Sequence, residues 1–320
     1  MKKLLQILIL LCIPLLLTAC KATAPEESTY EIIVGFSQLG TESGWRIGNS
    51  IDIEEAAKRA NVLLMYKNAD QRQENQIKAI RSFIASQVDV IAFAPIVEEG
   101  WDNVLREAKE AGIPVLLTDR LIQTEDESLY AGFVGSNFLE EGKRAGEFLL
   151  QKTKDKAHVR ILQITGTEDS TPMKQRQQGF EDVMKGRPQY EIVLTVSGDF
   201  LRSKGQECMR NVLKETRDID VLYSHNDAMT LGAIDAIEEA GLVPGKDIII
   251  ISVDGEQGAV DLLKEGKINC IVECTPLIGD TIMELAKKLA KGETIARVTY
   301  SEESAFSEYD DLSALPPRGY

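Results

Sequence analysis

The chain has 320 residues, 51 acidic and 36 basic, and a formal charge of −15. Its hydrophobic share of 43% and charged share of 27% describe a globular body rather than a disordered chain, and its length suggests about two domains. The acidic balance excludes a nucleic-acid partner, which needs a basic surface against phosphates, and excludes electrostatic adhesion to anionic lipid.

The amino terminus opens with the basic Met1-Lys2-Lys3, followed by an apolar run at 4–17 broken only by Gln6 and Pro14. The run is shorter than the roughly 20 apolar residues of a membrane-spanning helix, so it reads as a signal peptide over 1–19. It ends in Leu17-Thr18-Ala19-Cys20, which resembles the lipoprotein box of bacterial exported proteins. That resemblance implies lipid attachment at Cys20. An ordinary signal peptide, or a single anchor helix with an incidental cysteine, is the alternative. Residues 20–29 are small, polar and proline-containing, as in a flexible tether.

The body alternates strand and helix patterns. Strands are expected at 31–35, 62–66, 88–94, 113–117 and 132–135. Between them a helical pattern begins near Gly44. Another at 71–86 carries the stripe Ile77, Ile80 and Ile84, and a third at 101–111 stops at Gly112. The second half repeats the order. Strands fall at 159–164, 190–196, 220–223 and 248–253, and helices at 173–185, 203–215 and 228–240. Apolar strands alternating with helices predict an α/β fold of parallel strands joined as βαβ units. One unit recurs. Val88-Asp89-Val90-Ile91 with Glu110-Ala111-Gly112 returns as Ile219-Asp220-Val221-Leu222 with Glu239-Ala240-Gly241, each leading to a strand that ends in Asp, at Asp119 and Asp254. The repeat predicts two similar lobes.

Polar residues gather just past the carboxyl ends of these strands, where open parallel sheets bind ligands. Ser43-Gly44-Trp45-Arg46 follows the first strand. Trp45 offers a flat apolar face to a sugar ring and is equally a core residue at a helix start. Asp119-Arg120 pairs a carboxylate acceptor with a guanidinium donor, the combination that grips neighbouring hydroxyls, or else forms a surface ion pair. Asn226-Asp227 and Asp254-Gly255 occupy strand ends in the second half, where Asp is also common for backbone reasons. Arg176 lies in a polar run that is also simply solvated, and Phe200 is a stacking or a core residue. Glu273 and Cys274 end a late strand and point to opposite faces, without any indication of which meets a ligand. Cys270 and Cys274 stand about 13 Å apart on an extended strand and cannot join each other in a disulfide.

Five cysteines without a CxxC pair, and only His158 and His225, suggest no metal site. The chain lacks a G-x-S-x-G elbow, a phosphate-binding G-x-x-x-x-G-K loop and an H-E-x-x-H helix, so no catalytic residue and no cofactor are expected.

From Tyr30 to Tyr320 the chain resembles the type I periplasmic sugar-binding proteins of ABC transporters, in the ribose- and galactose-binding branch. Gly35-Phe-Ser-Gln38, Glu42-Ser-Gly-Trp-Arg46, Gln73-Glu-Asn-Gln-Ile-Lys-Ala79, the stretch Ser197-Gly-Asp-Phe-Leu-Arg-Ser-Lys-Gly205 and His225-Asn-Asp227 are most similar to the galactofuranose-binding type. The resemblance implies two Rossmann-like lobes, 30–135 plus 276–297 and 136–275 plus 298–320, joined by a three-stranded hinge near 133–137, 274–276 and 297–300. It implies Trp45 and Phe200 stacked on a monosaccharide, with Asp119, Arg120, Arg176, Asn226 and Asp254 on its hydroxyls and Arg46 as a further donor. The family's glutamine before the hinge is replaced at Cys274, and Glu273 beside it is the remaining polar candidate. The implied partners are a monosaccharide, an ABC permease with its ATPase, and a membrane through the lipid anchor, with the protein itself a monomer. A membrane histidine kinase or chemoreceptor is the alternative partner. The repressors that share this fold carry an amino-terminal DNA-binding unit where this chain has its leader.

Overall fold

The computed structural model describes residues 30–320; the expected signal peptide, Cys20 and the tether at 20–29 lie outside the described residues. Among the described residues no helix is long and apolar enough to cross a membrane.

Two six-stranded sheets organise the chain. The first takes its strands in the order β2 (Val62–Asn68), β1 (Ile32–Gln38), β3 (Val90–Phe93), β4 (Val115–Thr118), β5 (Gly132–Gly135) and β11 (Val298–Tyr300), all parallel. The second repeats it as β7 (Tyr190–Ser197), β6 (Val159–Thr165), β8 (Val221–Ser224), β9 (Ile249–Asp254), β10 (Cys270–Glu273) and β12 (Ala305–Ser307), with only β12 antiparallel. The sequence repeat therefore has a spatial counterpart: β3 and β8, which open its two copies, occupy the same place in the two sheets.

Helices cover both faces of each sheet. In the first lobe α1 (Gly44–Arg59) and α9 (Gly279–Ala290) lie on one face, and α2 (Gln73–Ala85) and α3 (Asp102–Glu110) on the other. In the second, α4 (Phe138–Lys152) and α5 (Thr171–Met184) oppose α6 (Arg202–Glu215), α7 (Asp227–Glu239) and α8 (Gln257–Lys264). Alternation of side chains along the strands divides the core accordingly. Val90 and Ala92 pack under α1 and α9, whereas Ile91 and Phe93 pack under α2 and α3. The βαβ reading is thus realised as doubly wound sheets. The sequence pattern assigns nothing to α4, α8 and α9.

The chain passes between the sheets three times, after β5, after β10 and after β11. The third passage differs from the expectation. Residues 298–300 pair with Phe133, Val134 and Gly135 in the first sheet rather than opening the second lobe, so the crossing falls at 301–304. Without β11 the edge of β5 would present unpaired backbone groups, and Tyr300 also sets its ring against Phe133. The three passages are tied together by side chains. Ser136 Oγ donates to Glu303 Oε1 (2.5 Å) and lies 3.3 Å from Cys274 Sγ, while Glu303 also accepts the Thr275 N–H at 2.9 Å.

Candidate functional site

The strand order reverses between β1 and β3, and between β6 and β8, and the carboxyl ends at these two switch points face each other across one cavity. Trp45, Arg46, Asp119, Arg120, Arg176, Phe200, Asn226 and Asp254 all line it. Glu42, Ser43, Phe138, Pro172 and Cys274 complete the wall.

The lobes are closed on each other. Lys174 Nζ meets Glu98 Oε2 at 2.7 Å, and the Glu98 N–H donates to the Asp169 carbonyl at 3.0 Å. The Thr171 hydroxyl accepts the Leu121 N–H (3.0 Å) and donates to the Leu121 carbonyl (3.1 Å).

Local chemistry fixes each side chain. In the first lobe Ser43 caps α1 by accepting the Arg46 N–H, which sets Trp45 and Arg46 in the first turn. Arg46 Nη2 lies 2.6 Å from Asp119 Oδ2, and its Nε 3.0 Å from Glu42 Oε1. Burial opposes the Arg46 charge, but these two carboxylates outweigh it and hold the group above its usual value. Arg120 has no such close partner. Its Nη1 donates to the Ile96 carbonyl (3.0 Å), its Nε is buried without a hydrogen bond, and Glu42 and Asp119 stand 4.0 and 3.9 Å away. Burial and the neighbouring Arg46 push it down to about 10.

In the second lobe Arg176 Nε donates to Glu141 Oε2 and Nη1 to the His225 carbonyl, both at 2.6 Å. Asn226 caps α7, accepting the Met229 N–H at 2.9 Å. Phe200 reaches the cavity from a left-handed backbone (φ 62°) and lies over Gly166, where a Cβ would stand 1.8 Å from the ring. Asp254 ends β9 with φ 121°, and Asp119 follows β4 at φ 60°. Such sparsely populated conformations concentrate at functional sites. Burial raises the Asp254 carboxyl well above the ordinary range; Arg176 opposes the shift, and Asp227 and Glu256 add to it.

The two aromatic residues reach the same cavity, and each has a guanidinium over its ring, Arg46 at 4.6 Å from Trp45 and Arg120 at 5.4 Å from Phe200. Trp45 is also a core residue: it is 5% exposed and packs with Phe138 and Cys274.

Glu273 is the exception among the candidates. Its side chain points away from the cavity, where Oε2 accepts from the Ser304 N–H (3.2 Å) and Oγ (3.0 Å) and Oε1 meets Arg318 Nη1 at 2.6 Å. Cys274, one residue on, faces the cavity instead. Cys208, Cys270 and Cys274 are free thiols. Phe138, Pro172 and Glu42 were not singled out by sequence reasoning. Glu42 alone carried a signal, as the first residue of the motif that ends in Arg46.

Among the described residues, Glu141, Cys274 and Glu303 bring possible metal-ligand atoms within 4.8 Å of one another. Arg176 already neutralises Glu141, and Ser136 and the Thr275 amide hold Glu303.

A family model described as the periplasmic binding protein domain matches residues 34–294. The chain belongs to this family. It is 40% identical over 267 residues to the galactofuranose-binding protein YtfQ of Escherichia coli, covering 82% of this chain and 84% of the relative. A Mycobacterium smegmatis protein solved in complex with β-D-fucofuranose superposes with a TM-score of 0.87 at 45% identity, over 89% of this chain and 94% of that one. The periplasmic binding protein of the arabinose ABC transporter from Shewanella sp. ANA-3, bound to α- and β-L-arabinofuranose, gives 0.84 at 41% identity, over 88% and 93%. The Escherichia coli and Shewanella relatives are binding proteins, and a periplasmic binding protein works outside the cytoplasm.

Proposed function

We propose that this chain is the extracytoplasmic receptor of an ABC transporter and captures one monosaccharide in its furanose form between the lobes. The carrying observation is the cavity itself. Guanidinium donors, carboxylate acceptors and aromatic rings converge on it from both lobes. Asp119 and Asp254 accept from ring hydroxyls, Arg120 and Arg176 donate to sugar oxygens, and Asn226 and Arg46 add donors. Trp45 and Phe200 supply apolar faces. The furanose assignment draws on the furanose-bound relatives. The site binds its ligand without transforming it, and lipid at Cys20 anchors the body to the membrane.

Thermal melting of the mature chain against galactose, arabinose, ribose, xylose, glucose and fructose tests the reading. A ligand at 100 times its dissociation constant adds about 2.7 kcal/mol of stability. Galactose or arabinose, which populate furanose forms, should shift the transition. A flat response to every sugar, on protein freed of carried-over ligand, rejects it.

A further inference from the structure

Both N–H groups of Trp45 are bonded outside its own lobe, one at the hinge passage after β10 and one in the second lobe. The indole Nε1–H donates to the Cys274 carbonyl and the backbone N–H to Glu256 Oε1, each at 2.7 Å. Trp45 stands in the first turn of α1, where helix N–H groups have no partner within the helix. Ser43 satisfies the N–H of Arg46. Glu256, 211 residues further along the chain and at the start of α8, satisfies that of Trp45. A carboxylate of one lobe thus completes the cap of a helix in the other, at the positive end of its dipole.

Glycine at 44 leaves room for this approach: a Cβ there would lie 2.6 Å from Glu256 Oε2, so the carboxylate would have to move. Glu256 is also held firmly from behind. Asp227 Oδ2 accepts the N–H groups of Gly255 and Glu256 at 2.7 Å each, and Asp227 Oδ1 takes the Ser252 hydroxyl. The loop so fixed begins at Asp254, in the cavity wall.

We propose that Glu256 is a positioning residue for ligand retention, an interlobe clasp that holds the Trp45 turn against the second lobe while the lobes are closed. The inference rests on the sugar-receptor reading. The bond spans the lobes, so it resists opening and acts on ligand escape; the first encounter takes place with the lobes apart. Burial raises the Glu256 carboxyl above its ordinary value, against the Trp45 N–H that favours the charge. The bond to the Trp45 N–H needs an acceptor oxygen at this place, and glutamine supplies one.

The test is stopped-flow binding of L-arabinose and D-galactose to wild type, Glu256→Ala, Glu256→Gln and Gly44→Ala. Loss of the clasp leaves the Trp45 amide unpaired in the closed state, and dissociation should quicken roughly tenfold in Glu256→Ala and Gly44→Ala. Association should stay within about twofold of wild type, because the encounter is unchanged. Glu256→Gln should restore most of the retention. Gly44→Ala is informative in its sign, since alanine favours a helix over glycine and a merely helical role would tighten the protein. It also carries the test if Glu256→Ala does not fold. Wild-type dissociation rates in both variants overturn the clasp. A wild type that binds none of the six sugars of the melting panel overturns the receptor reading instead, and with it a role in sugar retention.

Discussion

Arg176 Nη2 lies 3.7 Å from Asp254 Oδ1, while the other nitrogens of the same guanidinium are fixed by Glu141 and the His225 carbonyl. Glu141 is thus the structural counter-ion, and Asp254 keeps acceptor capacity on the cavity side. The two carboxylates near one arginine have separable tasks, which variants can tell apart.

Asp254→Asn should lower sugar affinity by tenfold or more, as an amide donor replaces an acceptor that hydroxyls need, at about 1–3 kcal/mol. The fold should stay as stable or gain, because a buried carboxyl raised by its surroundings is removed. Calorimetric titration beside a melting curve checks both halves. Unchanged affinity would remove Asp254 from the site.

Glu141→Gln should behave in the opposite way, with stability as the first casualty. It leaves a buried arginine without its counter-ion, a defect of about 3–5 kcal/mol. Denaturant unfolding measures it. A midpoint equal to that of the wild type would show that the Asp254 carboxylate takes over the pairing.

Gly166→Ala should displace the Phe200 ring, since the added Cβ would stand 1.8 Å from it. Overpacking of this kind costs about 1–3 kcal/mol. Affinity should fall with it as the ring leaves the cavity. A crystal structure of the variant with Phe200 in place would count against the account.

Glu303 gives a pH dependence. Burial and the Glu141 carboxylate push it up to about 8, against hydrogen bonds from Ser136 and Thr275. In the unfolded chain it releases its proton near 4.5. Between these values the folded hinge retains a proton that the unfolded chain gives up, so this group's contribution to stability is highest below the lower value and falls as pH rises to the upper. The melting temperature of wild type relative to Glu303→Gln should decline across that window. A constant difference would mean that Glu303 titrates normally.

Much of this was legible in the chain because the signals are local. Apolar strands, glycine stops and the repeated unit at 88 and 219 announce doubly wound lobes, and strand ends announce where Asp119, Asn226 and Asp254 stand. What escaped depends on partners far away in sequence. Alternation says that Glu273 and Cys274 face opposite ways, but the choice is made by Arg318 and Ser304, 45 and 31 residues distant. The three residues of β11 are too few to show a period, and only the open edge of β5 explains their place. Glu256 looks like any surface glutamate until α1 is brought to it.

The arrangement of β11 and α9 also orders the birth of the molecule. The first lobe takes a helix from 279–290 and its edge strand from 298–300. A chain made from its amino terminus therefore carries an unfinished first lobe until nearly all of it has been made, while the second lobe's helices and all but its edge strand are already present. The half made first is sealed almost last, when residues 279–300 have been added.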